Sequence, residues 1–247
     1  MTGLYRIAGK NIRIESLYAT VHEYCRDYRA DGAADLTVRT SAADLAYEQE
    51  RSDREAAAEG RTPTVWSLDY LEELAVYRGI AEQMPACDTF LFHGSCVAVD
   101  GAGYLFTAKS GTGKSTHARL WREMLGSRAV MVNDDKPLIR LSDAGAFVHG
   151  TPWDGKHRLS SNICVPLKAV CLLERAEQNQ IDRISARDAW PLLVQQAYRP
   201  RDPEALARTL DLIGRMVRSV SLYRLRCNMD PAAAECSYHA MKEGPDT

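Results

Sequence analysis

The stretch SGTGKST at residues 110–116 combines the residue types that bind a phosphate chain. Its glycines let the backbone wrap closely around an anion, so that successive N–H groups can converge on phosphate oxygens. A lysine and a hydroxyl follow at the spacing of the nucleotide-binding motif G-x-x-x-x-G-K-[ST], with Ala108 in place of the first glycine. We predict a nucleoside triphosphate site in which Lys114 reaches the β- and γ-phosphates and Ser115 holds Mg²⁺. Its predicted nucleotide-binding residues are Ser110, Gly111, Thr112, Gly113, Lys114, Ser115 and Thr116.

Two adjacent carboxylates, Asp134 and Asp135, follow the apolar run AVMVN at residues 129–133. A carboxylate at the end of the next strand completes the magnesium site in many phosphate-binding folds, whereas an isolated acid pair is usually a solvated turn. We expect the two acids to divide the work, one leaning on the metal and the other facing the acceptor of the phosphoryl group.

Two histidines lie close in the sequence to residues 110–116, the predicted phosphate cradle. His93 is near the end of an apolar strand that is expected to pair with the strand before the cradle. It is either a structural residue or a proton relay near the terminal phosphate. His117 lies on the helix that follows the cradle and is expected to pack or to face solvent.

The segment GTPWDGKHRLSSN at residues 150–162 has two glycines and a proline, which indicate a loop, and a cluster of cations. We predict that Lys156 and Arg158 belong to a substrate-facing lid that brings positive charge to the transferring phosphoryl group. The alternative is an ordinary connection between strands.

The elements around these residues have clear patterns. Residues 89–99 read as one strand, Asp100 and Gly101 as a tight turn, and 103–108 as the return strand that runs into the cradle. An amphipathic helix follows and ends at Gly126, and residues 129–133 form a buried strand.

The N-terminal part has a different character. Residues 4–14 and 36–40 read as short strands, and the charged segment 47–61 reads as an exposed loop or frayed helix. We therefore predict a small β-rich appendage over residues 1–65 and a catalytic domain over residues 66–247.

Composition excludes several classes of protein. The net charge of −2 over 247 residues, without a basic block, favours neither a nucleic acid nor a membrane partner. The seven cysteines are scattered and contain no C-x-x-C pair, which argues against a zinc site or a disulfide framework. With no signal-peptide pattern at the N-terminus, we expect a cytoplasmic location.

The segment FHGSCVAVDGAGYLFTAKSGTGKSTHARLW at 92–121, followed by VNDDKPL at 132–138, resembles the catalytic domain of HPr kinase/phosphorylase. It also resembles the nucleotide core of phosphoenolpyruvate carboxykinase. The common features are a cradle behind a hairpin, then an acid pair, and in the HPr kinases a histidine-glycine pair at the position of His93 and Gly94. The resemblance covers about residues 89–240 and is strongest before residue 140.

This resemblance implies an α/β fold with a mixed sheet and a P-loop of the HPr kinase and carboxykinase type. It implies ATP with Mg²⁺ as cofactors and a catalytic set of Asp134, His93 and Lys114. Asp134 would activate the acceptor hydroxyl as base, Asp135 and Ser115 would hold the metal, and His93 would assist near the phosphoryl group. It also implies assembly into homo-oligomers.

The sequence thus predicts a kinase whose acceptor is a serine or threonine of a protein or peptide, or a small alcohol. A nucleotide-binding regulatory module with little transferase activity is the alternative, although a passive binder needs only one of the two acids. A guanine-nucleotide switch is disfavoured because no N-K-x-D motif is present.

Overall fold

The computed structural model describes residues 1–243, which form two compact units, Met1–Gln83 and a second that begins at Met84. The predicted domain boundary lies at residue 65, whereas the first unit extends through the helix at 68–83. The last four residues of the predicted second domain, 244–247, lie outside the described residues.

The first unit is a three-stranded sheet with helices, in the order β1-β2-β3. Its elements are β1 (Thr2–Ile7), β2 (Lys10–Glu15), α1 (Thr20–Tyr24), β3 (Leu36–Arg39), α2 (Ala42–Ala58) and α3 (Leu68–Gln83). The predicted break between the first two strands is confirmed, because Ala8 and Gly9 form the turn with φ of 50° and 79°.

The charged segment 47–61 is helical through Ala58, so of its two predicted states the exposed loop was wrong and the helix is observed, in a regular rather than frayed form. The carboxylate of Asp44 accepts a hydrogen bond from the backbone N–H of Ser41 (3.0 Å) and caps the start of α2. Glu48 is fully buried and accepts from Arg78 Nε at 2.5 Å across the α2–α3 contact. A charge that looks solvated in the sequence is thus neutralised by a cation thirty residues further on.

Up to residue 243, the second unit carries the nine-stranded sheet and four α-helices. Its strands are β4 (Thr89–Leu91), β5 (Ser95–Val99), β6 (Ala102–Thr107), β7 (Ala129–Asn133), β8 (Leu138–Ser142), β9 (Gly145–His149), β10 (Cys164–Arg175), β11 (Gln180–Arg183) and β12 (Ser221–Cys227). Its helices are α4 (Lys114–Leu125), α5 (Ala186–Gln196), α6 (Pro203–Ser219) and α7 (Ala232–Glu243).

The sheet is mixed, which confirms the predicted α/β class. Its strand order is β4-β8-β9-β10-β6-β5-β7, with β12 also on β10 and β11 on β12. The long strand β10 is antiparallel to β9 near its start and parallel to β6 towards its end. Because β5 is antiparallel to both β6 and β7, the last two run in the same direction and end at the same edge of the sheet.

The predicted hairpin before the cradle is confirmed, with Val99 opposite Ala102 and positive φ at Asp100 and Gly101. The single strand predicted at 89–99 was wrong, because β4 pairs with β8 while β5 pairs with β6 and β7. At His93 and Gly94 the chain crosses from its position beside β8 to the position between β6 and β7. A Cβ on Gly94 would lie 3.0 Å from the carbonyl oxygen of Phe106, so the crossing needs glycine.

Alternate residues of β5 and β6 enter two cores on opposite faces of the sheet. Leu105 packs with residues of α5 and α6, whereas Tyr104 and Phe106 pack with Trp121 of α4 and with α7. Both faces of the sheet are therefore covered by helices. None of the helices within residues 1–243 has both the length and the apolar character that a bilayer crossing requires.

The buried ion pair of the first unit yields a stability prediction. Glu48→Ala should lower the free energy of unfolding by about 3 kcal/mol, because the guanidinium of Arg78 stays buried and keeps Asp44 (3.0 Å) as its carboxylate partner, beside the ring of Tyr47 (4.8 Å). Glu50→Ala is the matched control, since Glu50 is exposed on the same helix. Denaturant titration measures both variants, and equal losses would show that the ion pair does not hold α2 in place.

Candidate functional site

The predicted cradle joins the end of β6 to the start of α4. Gly111 and Gly113 have φ of 75° and 125°, values that side chains disfavour, and a Cβ on either would meet no atom within 4 Å. Backbone conformation rather than lack of space therefore requires glycine here. The helix begins at Lys114, so its first N–H groups and its positive dipole end face the loop.

A residue that the sequence analysis did not identify braces this loop. Arg175, at the end of β10, donates from its guanidinium to the carbonyl oxygens of Gly111 and Thr112, the second at 3.3 Å. Because β10 is parallel to β6, its last residue reaches the edge where the cradle begins. Nothing in the sequence shows which strand lies beside β6.

Lys114 is 8% exposed, and its Nζ donates to the carbonyl oxygen of Ala108 at 3.0 Å. Burial lowers the pKa of this ammonium, while the charges of Asp135 and Asp134 oppose the shift. Ala108 does not have a positive φ, so its backbone does not require the glycine of the motif. Its carbonyl oxygen is the acceptor that holds Lys114 Nζ. A buried cation with a single neutral acceptor is suited to an anionic ligand.

The two acids are held in a tight turn by Asn133, whose side chain is completely buried. Its Oδ1 accepts from the backbone N–H groups of Asp135 (2.9 Å) and Lys136 (2.6 Å). Its Nδ2 donates to the carbonyl oxygen and the hydroxyl of Thr151, both at 3.0 Å. One amide thus fixes the acid pair and ties it to the segment 150–162.

Asp134 is 6% exposed and lies among hydroxyl groups. The Ser95 hydroxyl donates to its Oδ1 at 2.7 Å, and the Ser115 hydroxyl also hydrogen-bonds to it. Burial raises the pKa of this carboxyl, and the two hydroxyl groups offset part of the shift. The immediate hydrogen-bond partners of Asp134 are thus neutral hydroxyl groups, although its charge also acts on the Lys114 ammonium.

Asp135 instead has one lysine and one imidazole beside it. Its Oδ1 lies 3.3 Å from His93 Nε2 and 3.0 Å from Lys136 Nζ. Burial alone would raise the pKa of Asp135, but His93 and Lys136 outweigh it and lower the pKa to about 2. Burial lowers the pKa of His93, partly opposed by Asp135, so the imidazole is neutral at pH 7 and donates only from a protonated Nε2.

These side chains line one cavity of about 500 Å³. The predicted site residues that border it are His93, Ser110, Gly111, Gly113, Lys114, Ser115, Thr116, Asp134, Asp135 and Lys156. A second space of about 430 Å³, with a mostly apolar lining that includes Leu120 and Leu173, shares Gly111, Gly113 and Thr116 with the first. The cradle thus separates a polar cavity from an apolar one.

The structure divides the predicted lid into two parts. The inner part, 151–154, is buried, with the Thr151 hydroxyl donating to the carbonyl oxygen of Lys136 at 2.8 Å. Lys156 and His157 are exposed and line the polar cavity. Arg158 is exposed with φ of 52° and is not one of the described residues that border the cavity. The two cations predicted together are therefore placed differently.

His117 is packed in the protein interior, which is one of the two placements predicted for it. It is 3% exposed, its Nε2 lies 2.9 Å from the Ser237 hydroxyl, and burial lowers its pKa to about 4. Its ring also meets the ring of Phe106 edge-on at 4.7 Å. These contacts explain the histidine without a catalytic role.

The site offers oxygen ligands for a metal but no complete protein cage. Across residues 1–243, no group of three or more His, Cys, Asp or Glu side chains is arranged to hold a metal ion. Mg²⁺ usually binds through one or two carboxylates together with phosphate oxygens and water. Asp134, Asp135 and the Ser115 hydroxyl fit that pattern.

Comparison with solved structures gives a weak likeness at the level of the fold. The HPr(Ser) kinase/phosphatase from Coxiella burnetii is 9% identical over 62% of this chain and 99% of its own, with a TM-score of 0.34. That TM-score is too low to transfer any detail of the site. No curated protein sequence matches the chain.

A family model gives a firmer result. The model described as "SynChlorMet cassette protein ScmC" matches residues 64–232, which is more than half of the 247 residues. The matched range includes the cradle, the acid pair, the segment 150–162 and the bracing Arg175. The chain therefore belongs to the ScmC family of SynChlorMet cassette proteins.

Proposed function

We propose that this protein is an ATP-dependent kinase that transfers the γ-phosphoryl group to the hydroxyl of a protein, a peptide or a small alcohol. The observation that carries the proposal is the convergence of Lys114, Ser115, Asp134 and Asp135 on one cavity next to the cradle. A buried lysine, a hydroxyl and two carboxylates at that place are the parts that phosphoryl transfer requires.

The two adjoining cavities match the two halves of a nucleotide. The polar cavity suits a triphosphate, and the apolar space on the other side of the cradle suits the base and ribose. Mg²⁺, held by Ser115 and a carboxylate, would neutralise charge on the β- and γ-phosphates. The N–H groups of the cradle and Lys114 would orient the phosphate chain.

The surroundings of the two acids support different roles. Asp134 is the proposed base, because burial among hydroxyl groups leaves it more basic than an ordinary aspartate. Asp135 stays ionised at any physiological pH and suits the cation. The contact between Ser115 and Asp134 supports the reverse division, so the two acids need separate tests.

The proposed step is balanced by these groups. The acceptor oxygen forms the new bond to the γ-phosphorus, and the bond from that phosphorus to the β–γ bridging oxygen breaks. ADP leaves with this oxygen and its electron pair, and Asp134 takes the hydroxyl proton. His93 keeps Asp135 oriented beside the transferring group.

We expect Lys114→Ala to weaken Mg²⁺-ATP binding at least tenfold, or about 1.4 kcal/mol, because it removes the buried charge that faces the phosphates. Lys109→Ala is the matched control, since Lys109 is exposed on the same loop. Calorimetric titration of the folded variants measures both affinities. Equal ATP affinity in the wild type and Lys114→Ala would overturn the proposed nucleotide site.

Asp134→Asn should lower turnover by about 10²–10⁴-fold at saturating Mg²⁺, because the amide keeps the shape but cannot accept the proton. Asp135→Asn should instead raise the Mg²⁺ concentration needed for half-maximal rate. Phosphoryl transfer from labelled ATP to a screened acceptor, measured across a Mg²⁺ series, separates the two effects. If Asp135→Asn lowers turnover and Asp134→Asn raises the Mg²⁺ requirement, Asp135 is the base and Asp134 the metal ligand. Full activity of both variants would contradict a role for either acid in transfer.

The placement of the two loop cations predicts different effects. Lys156→Ala should lower turnover while ATP affinity changes less than threefold, because its charge acts on charge that develops during transfer. Arg158→Ala removes the same charge two residues away, outside the lining of the cavity, and should change turnover less. Rates and ATP titrations of both variants test this, and equal turnover in Lys156→Ala and wild type would make the segment an ordinary connection.

A further inference from the structure

A further space, a groove of about 260 Å³, runs along α4 and meets the polar cavity at its inner end. Ser115, Asp134 and His157 line both spaces. The outer part of the groove is lined by Arg119 and Arg122. It therefore leads from the protein surface to the carboxylate proposed as base.

The helix sets this groove apart from the apolar nucleotide cavity. Ser115, Arg119 and Arg122 recur at spacings of four and three residues, which places them on one face of α4. His117 and Leu120 line the apolar cavity from another face of the same helix. A molecule in the groove would thus approach the phosphates from a different side than the base of the nucleotide.

The outer charges of the groove are available to a ligand. Arg122 has no carboxylate partner among residues 1–243. Arg119 pairs with Glu123 at 2.9 Å, but the two side chains are 59% and 55% exposed. An exposed pair of this kind contributes little, so an incoming carboxylate can take the place of Glu123 at small cost.

The remaining wall of the groove is apolar. Met131 from β7 and Leu159 from the segment 150–162 contribute to it, together with Ala118 of α4. An occupant therefore meets carboxylate and hydroxyl groups at the inner end, an apolar wall in the middle and two cations at the outer end.

We propose that this groove binds the acceptor, and that the acceptor is an acidic peptide segment. Its serine or threonine hydroxyl would reach Asp134, and a glutamate or aspartate further along the segment would pair with Arg122 and Arg119. Arginine side chains are well suited to carboxylates because their donors can form paired hydrogen bonds. The inference rests on the proposed kinase function, whose phosphoryl acceptor it specifies.

The length of the groove favours a peptide. Seven helical residues separate Ser115 from Arg122, which is a rise of about 10 Å along α4. An extended chain covers about 3.3 Å per residue, so an acid two or three residues from the hydroxyl spans this distance. A small alcohol that fills only the inner end would not reach the two arginines.

The test measures binding and transfer with designed peptides. The probe is a fluorescent peptide with one serine and glutamates two and three residues away on each side, and the matched peptide has glutamines at those positions. We expect the glutamate peptide to bind the wild type at least tenfold more tightly in an anisotropy titration. Arg122→Glu should weaken that binding at least tenfold while Mg²⁺-ATP affinity changes less than threefold. Arg208→Glu, the same charge reversal at an exposed position of α6, should leave both affinities unchanged.

The outcomes separate the groove from the kinase. Equal binding of the two peptides, or equal loss in Arg122→Glu and Arg208→Glu, would overturn the groove. If both peptides are phosphorylated at equal rates, the kinase function is supported and the preference for an acidic acceptor is wrong. If the glutamate peptide binds through Arg122 but ATP does not bind and no phosphoryl group is transferred, the peptide groove is supported and the kinase function is wrong.

Discussion

The side-chain amide of Asn133 is the constraint on which the arrangement of the site depends. Asn133 is the last residue of β7 and is completely buried. Its side-chain oxygen accepts from the backbone N–H groups of Asp135 and Lys136, and its side-chain nitrogen donates to Thr151 in the segment 150–162. A buried amide that lost these partners would cost free energy at each unmatched group. The turn that aims the acids and the attachment of the cation-bearing loop are therefore fixed together.

The sheet brings the other groups to this place. Since β6 and β7 run in the same direction on either side of β5, both end at the edge where β5 begins. The cradle after β6, the acids after β7 and the residues His93 and Gly94 before β5 are adjacent for that reason. The end of β10, parallel to β6, adds Arg175 behind the loop. Strand direction thus brings three turns and one strand end, far apart in the chain, to one edge of the sheet, where the Asn133 bonds fix the acid turn.

Local patterns predicted the parts of this site that depend on neighbours in sequence. The cradle, its hairpin, the helix after it and the strand before the acids each carry their signal within about ten residues. The missing pieces depend on distant partners. The break at His93 arises because Gly94 crosses close to Phe106, the order of α2 depends on Arg78, and the role of Arg175 depends on which strand pairs with β6. Asn133 gave a partial signal, because a buried amide at a strand end needs partners, although the sequence does not say which.

The pKa values of the two adjacent acids differ because residues from distant parts of the chain surround each one. Asp134 points to the hydroxyl groups of Ser95 and Ser115, whereas Asp135 points to His93 and Lys136. The two adjacent side chains therefore have different neighbours, hydroxyl groups at Asp134 and an imidazole with an ammonium group at Asp135. Burial then acts in the same direction on both pKa values, and only the neighbours separate them. A raised pKa beside a strongly lowered one is the arrangement that gives two identical carboxyl groups different chemistry.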